Sequence, residues 1–91
     1  MKKRYHVVIH GKVQGVMFRH NTVKMAEKAD VKGWVRNTAD GSVEAVFEGE
    51  EDNLAKMLSW CRKGTIGSKV ERVDVAEEDY RGEFDEFHIS S

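Results

Sequence analysis

Arg19 and Asn37 are the side chains in this sequence whose types and surroundings best suit chemistry on an anion. Arg19 ends the run GKVQGVMFR, Gly11 to Arg19, which joins a strand-like segment to a helix-like one through a short turn. Glycines at positions 11 and 15 let the backbone turn tightly and approach a ligand, and amides ahead of a helix carry unpaired N–H donors. The helix dipole adds partial positive charge, and a guanidinium presents a planar fork of donors matched to phosphate oxygens. The run therefore reads as a phosphate cradle. A surface arginine with no ligand would meet the positive end of the helix dipole unfavourably, which favours a bound anion as its partner.

Asn37 belongs to a second segment, GWVRNTADGSVE from Gly33 to Glu44, where Trp34 and Asn37 precede an Asp40-Gly41 turn. Together the two segments resemble the acylphosphatase family, whose members carry a GxVQGVxFR loop followed by a GWVxNxxDGxVE hairpin. The resemblance extends over nearly the whole chain. It implies hydrolysis of the carboxyl-phosphate bond of acyl phosphates to carboxylate and inorganic phosphate. The backbone from Gln14 through Gly15, Val16, Met17 and Phe18 to Arg19 would bind the phosphoryl group, Arg19 would grip it, and Asn37 would position the attacking water. The expelled carboxylate is a stable leaving group, so no enzyme acid is needed, and few groups suffice to hold oxygens, offset charge and place water in line. An amide can accept a hydrogen bond from water without the charge by which a carboxylate repels the phosphoryl group. The proton that water loses can pass to a phosphate oxygen.

Other motif residues read as supports. Gln14 is expected to hydrogen-bond across the loop, and Gly15 is a backbone requirement. Trp34 and Phe18 are expected in the core, holding the two site segments together. Thr38 is either a donor to Asn37 and its neighbours or simply a good strand residue. Cys61 reads as a small buried apolar group rather than a nucleophile. His6 and His10 share a strand face but lie roughly 13 Å apart, too far for one metal ion, and His20 and His88 read as solvated or locally bonded. Gly11 and Gly15 lack the Gly-Lys-Ser/Thr ending of a nucleotide triphosphate loop. No metal and no cofactor are expected.

The elements that must position these residues are legible from periodicity. Tyr5, Val7 and Ile9 alternate along a first strand. Phe18, Thr22, Met25 and Ala29, widened by Val23 and Ala26, form the stripe of a first helix. Gly33 to Thr38, and then Val43, Ala45 and Phe47, form a hairpin about Asp40-Gly41. Leu54, Met57, Leu58 and Cys61 mark a second helix, with Glu50, Glu51 and Asp52 at its start and Arg62, Lys63 and Gly64 at its end. Val73 and Val75 alternate in a fourth strand, and Phe87 with Ile89 in a short last one. The order is βαββαβ plus a terminal strand, an α+β class matching a ferredoxin-like, mostly antiparallel sheet with two helices on one face. Lys63 to Lys69 reads as an exposed loop, and Asp79 to Glu86 is weakly patterned.

Composition bounds the rest. The 91 residues are expected to form one domain over 1–91. One cysteine excludes an intrachain disulfide, and no apolar run approaches the ~18 residues of a membrane span. The start, MKKRYHVVIH, lacks the apolar core of a signal peptide, so the expected location is cytoplasmic. A net charge of −1 argues against a nucleic-acid or membrane partner. Nine of the Lys/Arg residues against two Asp/Glu lie in 1–37, and six against fourteen follow. That asymmetry would favour approach of a small anion to the cradle. The expected partners are an acyl phosphate substrate and inorganic phosphate as a competing ligand, acting on a monomer.

Two features depart from the family pattern. Asp30 stands where glycine commonly separates helix one from the second strand, which puts local stability in doubt. Thr65-Ile66 replace a loop often rich in proline, which would make that loop more mobile. A binding module that holds an anion without turning it over is the main alternative. An RNA-binding module ranks last, because the third strand, SVEAVFEG, is acidic and offers only Phe47 for stacking.

Overall fold

A computed structural model describes residues 1–90. The elements follow the order β1 (Lys2–Lys12), α1 (Phe18–Ala29), β2 (Lys32–Asn37), β3 (Val43–Glu50), α2 (Glu51–Lys63), β4 (Lys69–Glu78) and β5 (Phe87–Ile89). They form one five-stranded sheet in the order β4-β1-β3-β2-β5. Three of its pairings are antiparallel, and β2 with β5 is parallel. This is the ferredoxin-like α+β fold expected from the sequence.

Alternation divides the sheet into two chemically different faces. Val7 and Ile9, Val35, Val43, Ala45 and Phe47, and Phe87 share one buried core with Phe18 and Ala26 of α1 and Leu54, Met57 and Cys61 of α2. The α1 stripe centres on Phe18, Thr22 and Ala26 at four-residue spacing, and the Thr22 hydroxyl donates to the Phe18 carbonyl at 2.7 Å. Helix α2 begins with Glu51 and Asp52 and ends with Arg62 and Lys63, each sign facing the dipole end that favours it.

The opposite face carries charge. Arg4 and Glu48 are direct register partners across β1 and β3 and are both buried. The segment 79–86 crosses this end of the face. Glu83 accepts from Arg4 at 2.6 Å, the Arg81 amide donates to Glu48 at 2.9 Å, and Phe84 lies against the Arg4 guanidinium. Its weak sequence pattern follows from contacts that are mostly polar and long-range. Further along, His6 meets Glu44 at 2.6 Å, which also takes Arg36.

One expectation needs correction here. Trp34 is not core: it shares the charged face, half-buried, with the Arg36 guanidinium 5.5 Å from its ring. The aromatic that Phe18 meets is Trp60 of α2, at 5.1 Å between ring centroids. The Thr65–Ser68 turn is closed by three hydrogen bonds within it and is tied to α1 by Asn21 donating to Thr65 at 2.7 Å. Asp30 does adopt the left-handed conformation that glycine favours, at φ 59°, while its amide caps the end of α1.

Candidate active site

The chain leaves β1 through a bulge at His10/Gly11 and reaches α1 through 13–17. Gly11 and Gly15, alike in sequence, have different tasks. A Cβ on Gly11 would lie 2.1 Å from the Lys69 carbonyl oxygen, so this glycine permits close approach of β4, not of a ligand. Gly15, at φ 73°, has open space where its Cβ would project. Met17 is also left-handed, at φ 62°, although it is not glycine. Left-handed residues thus flank Val16, and left-handed turns of this kind can bring successive amides toward one anion.

No side chain caps α1. The first helical amide with a protein acceptor is that of Asn21, which donates to the Met17 carbonyl at 3.0 Å. Among the described residues, the amides of Gly15 to His20 donate to no protein acceptor. Arg19 likewise forms no ion pair among the described residues, although eleven such pairs occur elsewhere. A row of free donors beside an unpaired guanidinium has the chemistry to receive an anion.

Asn37 reaches the same place from the end of β2. A cavity of about 240 Å³ is lined by Val13, Gly15, Met17, Phe18, Arg19, His20, Asn37 and Ile89. The Asn37 Oδ1 is buried and has no hydrogen-bond partner. Buried polar atoms nearly always have one, so this acceptor is directed at something other than the protein. No carboxylate lines the cavity, and its cations are Arg19 and, when protonated, His20.

A hydrogen-bonded turn holds the two site segments in register. The Gln14 side-chain amide donates to the Thr38 and Ser42 carbonyls, each at 2.8 Å, linking the cradle loop to the β2–β3 turn. The Thr38 hydroxyl turns to Asp40 and Ser42, not to Asn37. Hydrogen bonds from the Ser42 hydroxyl, the Thr38 hydroxyl and the Ser42 amide hold the Asp40 carboxyl well below the usual aspartate range. That turn fixes the backbone directly after Asn37.

Of the residues expected from sequence, Gly15, Met17, Phe18, Arg19 and Asn37 meet at the cavity, while Gln14 and Val16 lie off its wall. Three lining residues were not foreseen. Val13 lies inside the motif but carries no polar signal. His20, expected to be solvated or locally bonded, is exposed, and the first turn of α1 also sets it on the wall. Ile89 is brought there by the parallel pairing of β5 with β2, a long-range contact without a local sequence signal.

The fold and the site define an α+β protein with a loop of free amides between β1 and α1. The acylphosphatase family model matches residues 5–89. An acylphosphatase of Syntrophobacter fumaroxidans is 54% identical over 89 residues, covering 98% of this chain and 92% of that protein. One from Syntrophus aciditrophicus is 53% identical, covering 98% and 93%. The crystal structure of acylphosphatase from Bacillus subtilis matches with a TM-score of 0.94 at 34% identity, covering all of both chains. The chain belongs to the acylphosphatase family. It is a hydrolase of that class, and acyl phosphates are its substrate class.

Proposed function

We propose that the phosphoryl group of an acyl phosphate rests on the amides between Gln14 and Arg19, gripped by the Arg19 guanidinium, while Asn37 holds the attacking water. The observation that carries this reading is that one cavity is lined by Gly15, Met17, Phe18 and Arg19, whose amides have no protein acceptor, and by Asn37, whose buried Oδ1 has no partner. Water donating to Oδ1 keeps a lone pair directed toward phosphorus. Its proton passes to a phosphoryl oxygen as the carboxylate departs.

Charge that builds on the phosphoryl oxygens is offset by donors already in place, so their reorganisation adds little to the barrier. The departing carboxylate needs neither protonation nor a metal, and we read the reaction as metal-independent. Gln14 acts through the β2–β3 turn as a positioning residue, whereas its backbone belongs to the cradle. The whole chain acts as one domain and a monomer in the cytoplasm, with inorganic phosphate competing for the cradle.

Hydrolysis of benzoyl phosphate by wild type, Arg19→Ala and Asn37→Ala, with a chelator present, tests this reading. Each substitution is expected to lower kcat by about 10²- to 10³-fold without changing the circular dichroism spectrum. Full activity in Asn37→Ala would remove it from the mechanism. A folded but inactive wild type that inorganic phosphate stabilises against heat would instead mark a binding module.

A further inference from the structure

Met17 keeps φ 62° without being glycine, and a side-chain-bearing residue stays in that region only where its surroundings impose it. On the β1 side, the Gln14 side chain fixes the loop to the β2–β3 turn. On the α1 side, the loop backs on to the turn that follows α2. The Asn21 side-chain amide donates to the Thr65 hydroxyl at 2.7 Å, and both residues are half-buried. The Asn21 backbone amide meanwhile donates to the Met17 carbonyl, so the residue anchored to Thr65 is also the one that closes the first turn of α1 on Met17. A Cβ on Gly67 would lie 3.9 Å from the Val16 side chain and one on Gly64 3.7 Å from the Phe18 ring, so the same turn meets both neighbours of Met17. Its stiffness centres on Thr65, whose amide and carbonyl both bond to Ser68.

We propose that Asn21 and Thr65 are positioning residues for the phosphoryl group: their hydrogen bond holds the first turn of α1, and with it the amides of Met17, Phe18 and Arg19, in the arrangement that receives the anion. The proposal rests on the phosphoryl group binding to those amides. Neither Asn21 nor Thr65 lines the cavity, so both act through backbone that does. Helix α1 has no side-chain cap, and its amides ahead of Asn21 have no protein acceptor, so restraint of this turn must come from outside the helix. Two contacts supply it. The Phe18 ring meets Trp60 at 5.1 Å between centroids, an apolar contact that tolerates sliding, whereas the Asn21–Thr65 bond is directional. Donors fixed before the reaction add little reorganisation to the barrier, and a shift of an ångström forfeits much of that advantage.

The test is benzoyl phosphate kinetics, with inorganic phosphate as competing ligand, for Thr65→Val, Thr65→Ser, Asn21→Ala, the double variant Asn21→Ala/Thr65→Val, and Ile66→Thr. Valine removes the hydroxyl but keeps the β-branched shape and both backbone bonds to Ser68, so the turn should still form. Thr65→Val should lower kcat/KM about tenfold and weaken competition by inorganic phosphate, with an unchanged circular dichroism spectrum. Thr65→Ser, which restores the acceptor, should recover most of the loss. The double variant should lose no more than the worse single one, because both substitutions break the same bond. Ile66 is 99% exposed on the same turn, and Ile66→Thr should match wild type.

Wild-type kcat/KM and phosphate competition in Thr65→Val would overturn the proposal, and so would a Thr65→Ser enzyme as impaired as Thr65→Val. A merely structural bond would lower Tm and leave both kinetic readouts unmoved well below the melt. If wild type hydrolysed no benzoyl phosphate, the hydrolytic reading of the site would fall, and the rise in Tm on adding inorganic phosphate would decide the positioning role separately. A rise smaller in Thr65→Val than in wild type would uphold it, and equal rises, nil included, would refute it.

Discussion

Replacing each motif glycine by alanine should separate stability from function. At Gly11, at φ 130°, a new Cβ would sit 2.1 Å from the Lys69 carbonyl oxygen and 2.9 Å from the Glu71 amide nitrogen. Both obstacles are backbone of β4, so no side chain can swing aside. Relief requires breaking the pairing of Gly11 with Val70 and of Lys12 with Lys69. Overlap with fixed backbone, added to the positive φ, should destabilise Gly11→Ala by about 3 kcal/mol or more. Gly15→Ala meets no atom within 4 Å and bears only the left-handed penalty of about 1–2 kcal/mol.

For a domain of this size 1 kcal/mol corresponds to roughly 4–8 °C in Tm. Gly11→Ala should therefore melt more than about 12 °C below wild type, and Gly15→Ala about 4–16 °C below. Activity should reverse the order. At a temperature where both are folded, Gly11→Ala should retain most of its kcat/KM for benzoyl phosphate, because β4 lines no part of the cavity. Gly15→Ala should lose about tenfold or more, because its methyl enters the space facing the cradle. Differential scanning calorimetry paired with kinetics gives both readouts. A Gly11→Ala protein melting within a few degrees of wild type would refute the close-approach argument, and an unimpaired Gly15→Ala enzyme would refute the role given to the cradle.

Three further outcomes follow from the rest of the molecule. Arg4→Met should cost about 3 kcal/mol in urea denaturation, since it strands Glu48, which is 2% exposed, without its cationic partner; a cost under about 1 kcal/mol would show that Arg81 and solvent suffice. The Asp40 carboxyl, depressed in the fold, contributes stability above its unfolded value near pH 4 that is lost as pH falls through its lower folded value. Wild type should therefore be more stable than Asp40→Asn at neutral pH, with the gap closing below about pH 4, as thermal melts against pH would show. Burial pushes the Cys61 thiol up to about 12, against an opposing effect of Arg62, so iodoacetamide should label it only on unfolding; labelling of the native protein at neutral pH would contradict the packing of α2.

Legibility from sequence tracked the range of the interaction responsible. The stripe Leu54, Met57 and Cys61 and the alternation Val43, Ala45 and Phe47 were readable because each is set by local geometry and one buried face. The left-handed position of Asp30 was readable because the departure from glycine was local. Trp34 was misassigned because a strand buries alternate residues, and Val35, not Trp34, has the core parity. Gly11 and Gly15 look equivalent as letters, and only the approach of β4 distinguishes them. The segment 79–86 gave no pattern because Glu83 and Phe84 meet Arg4, nearly the whole chain away in sequence.

By itself the sequence determined the order of elements, the amide-rich entry to α1, and the presence of an arginine and an asparagine at spacings matching one family. Those properties belong to residue type and period, which a linear chain carries explicitly. Tertiary structure alone decided that Asn37 and Arg19 share a cavity, that the Asn37 Oδ1 lacks a protein partner there, and that His20 and Ile89 complete the wall. Each of those depends on strand order and register, with β5 parallel to β2 and the Gln14 side chain joining the loop to the turn. Register is set by the summed burial of a whole sheet face, which no short stretch of sequence contains.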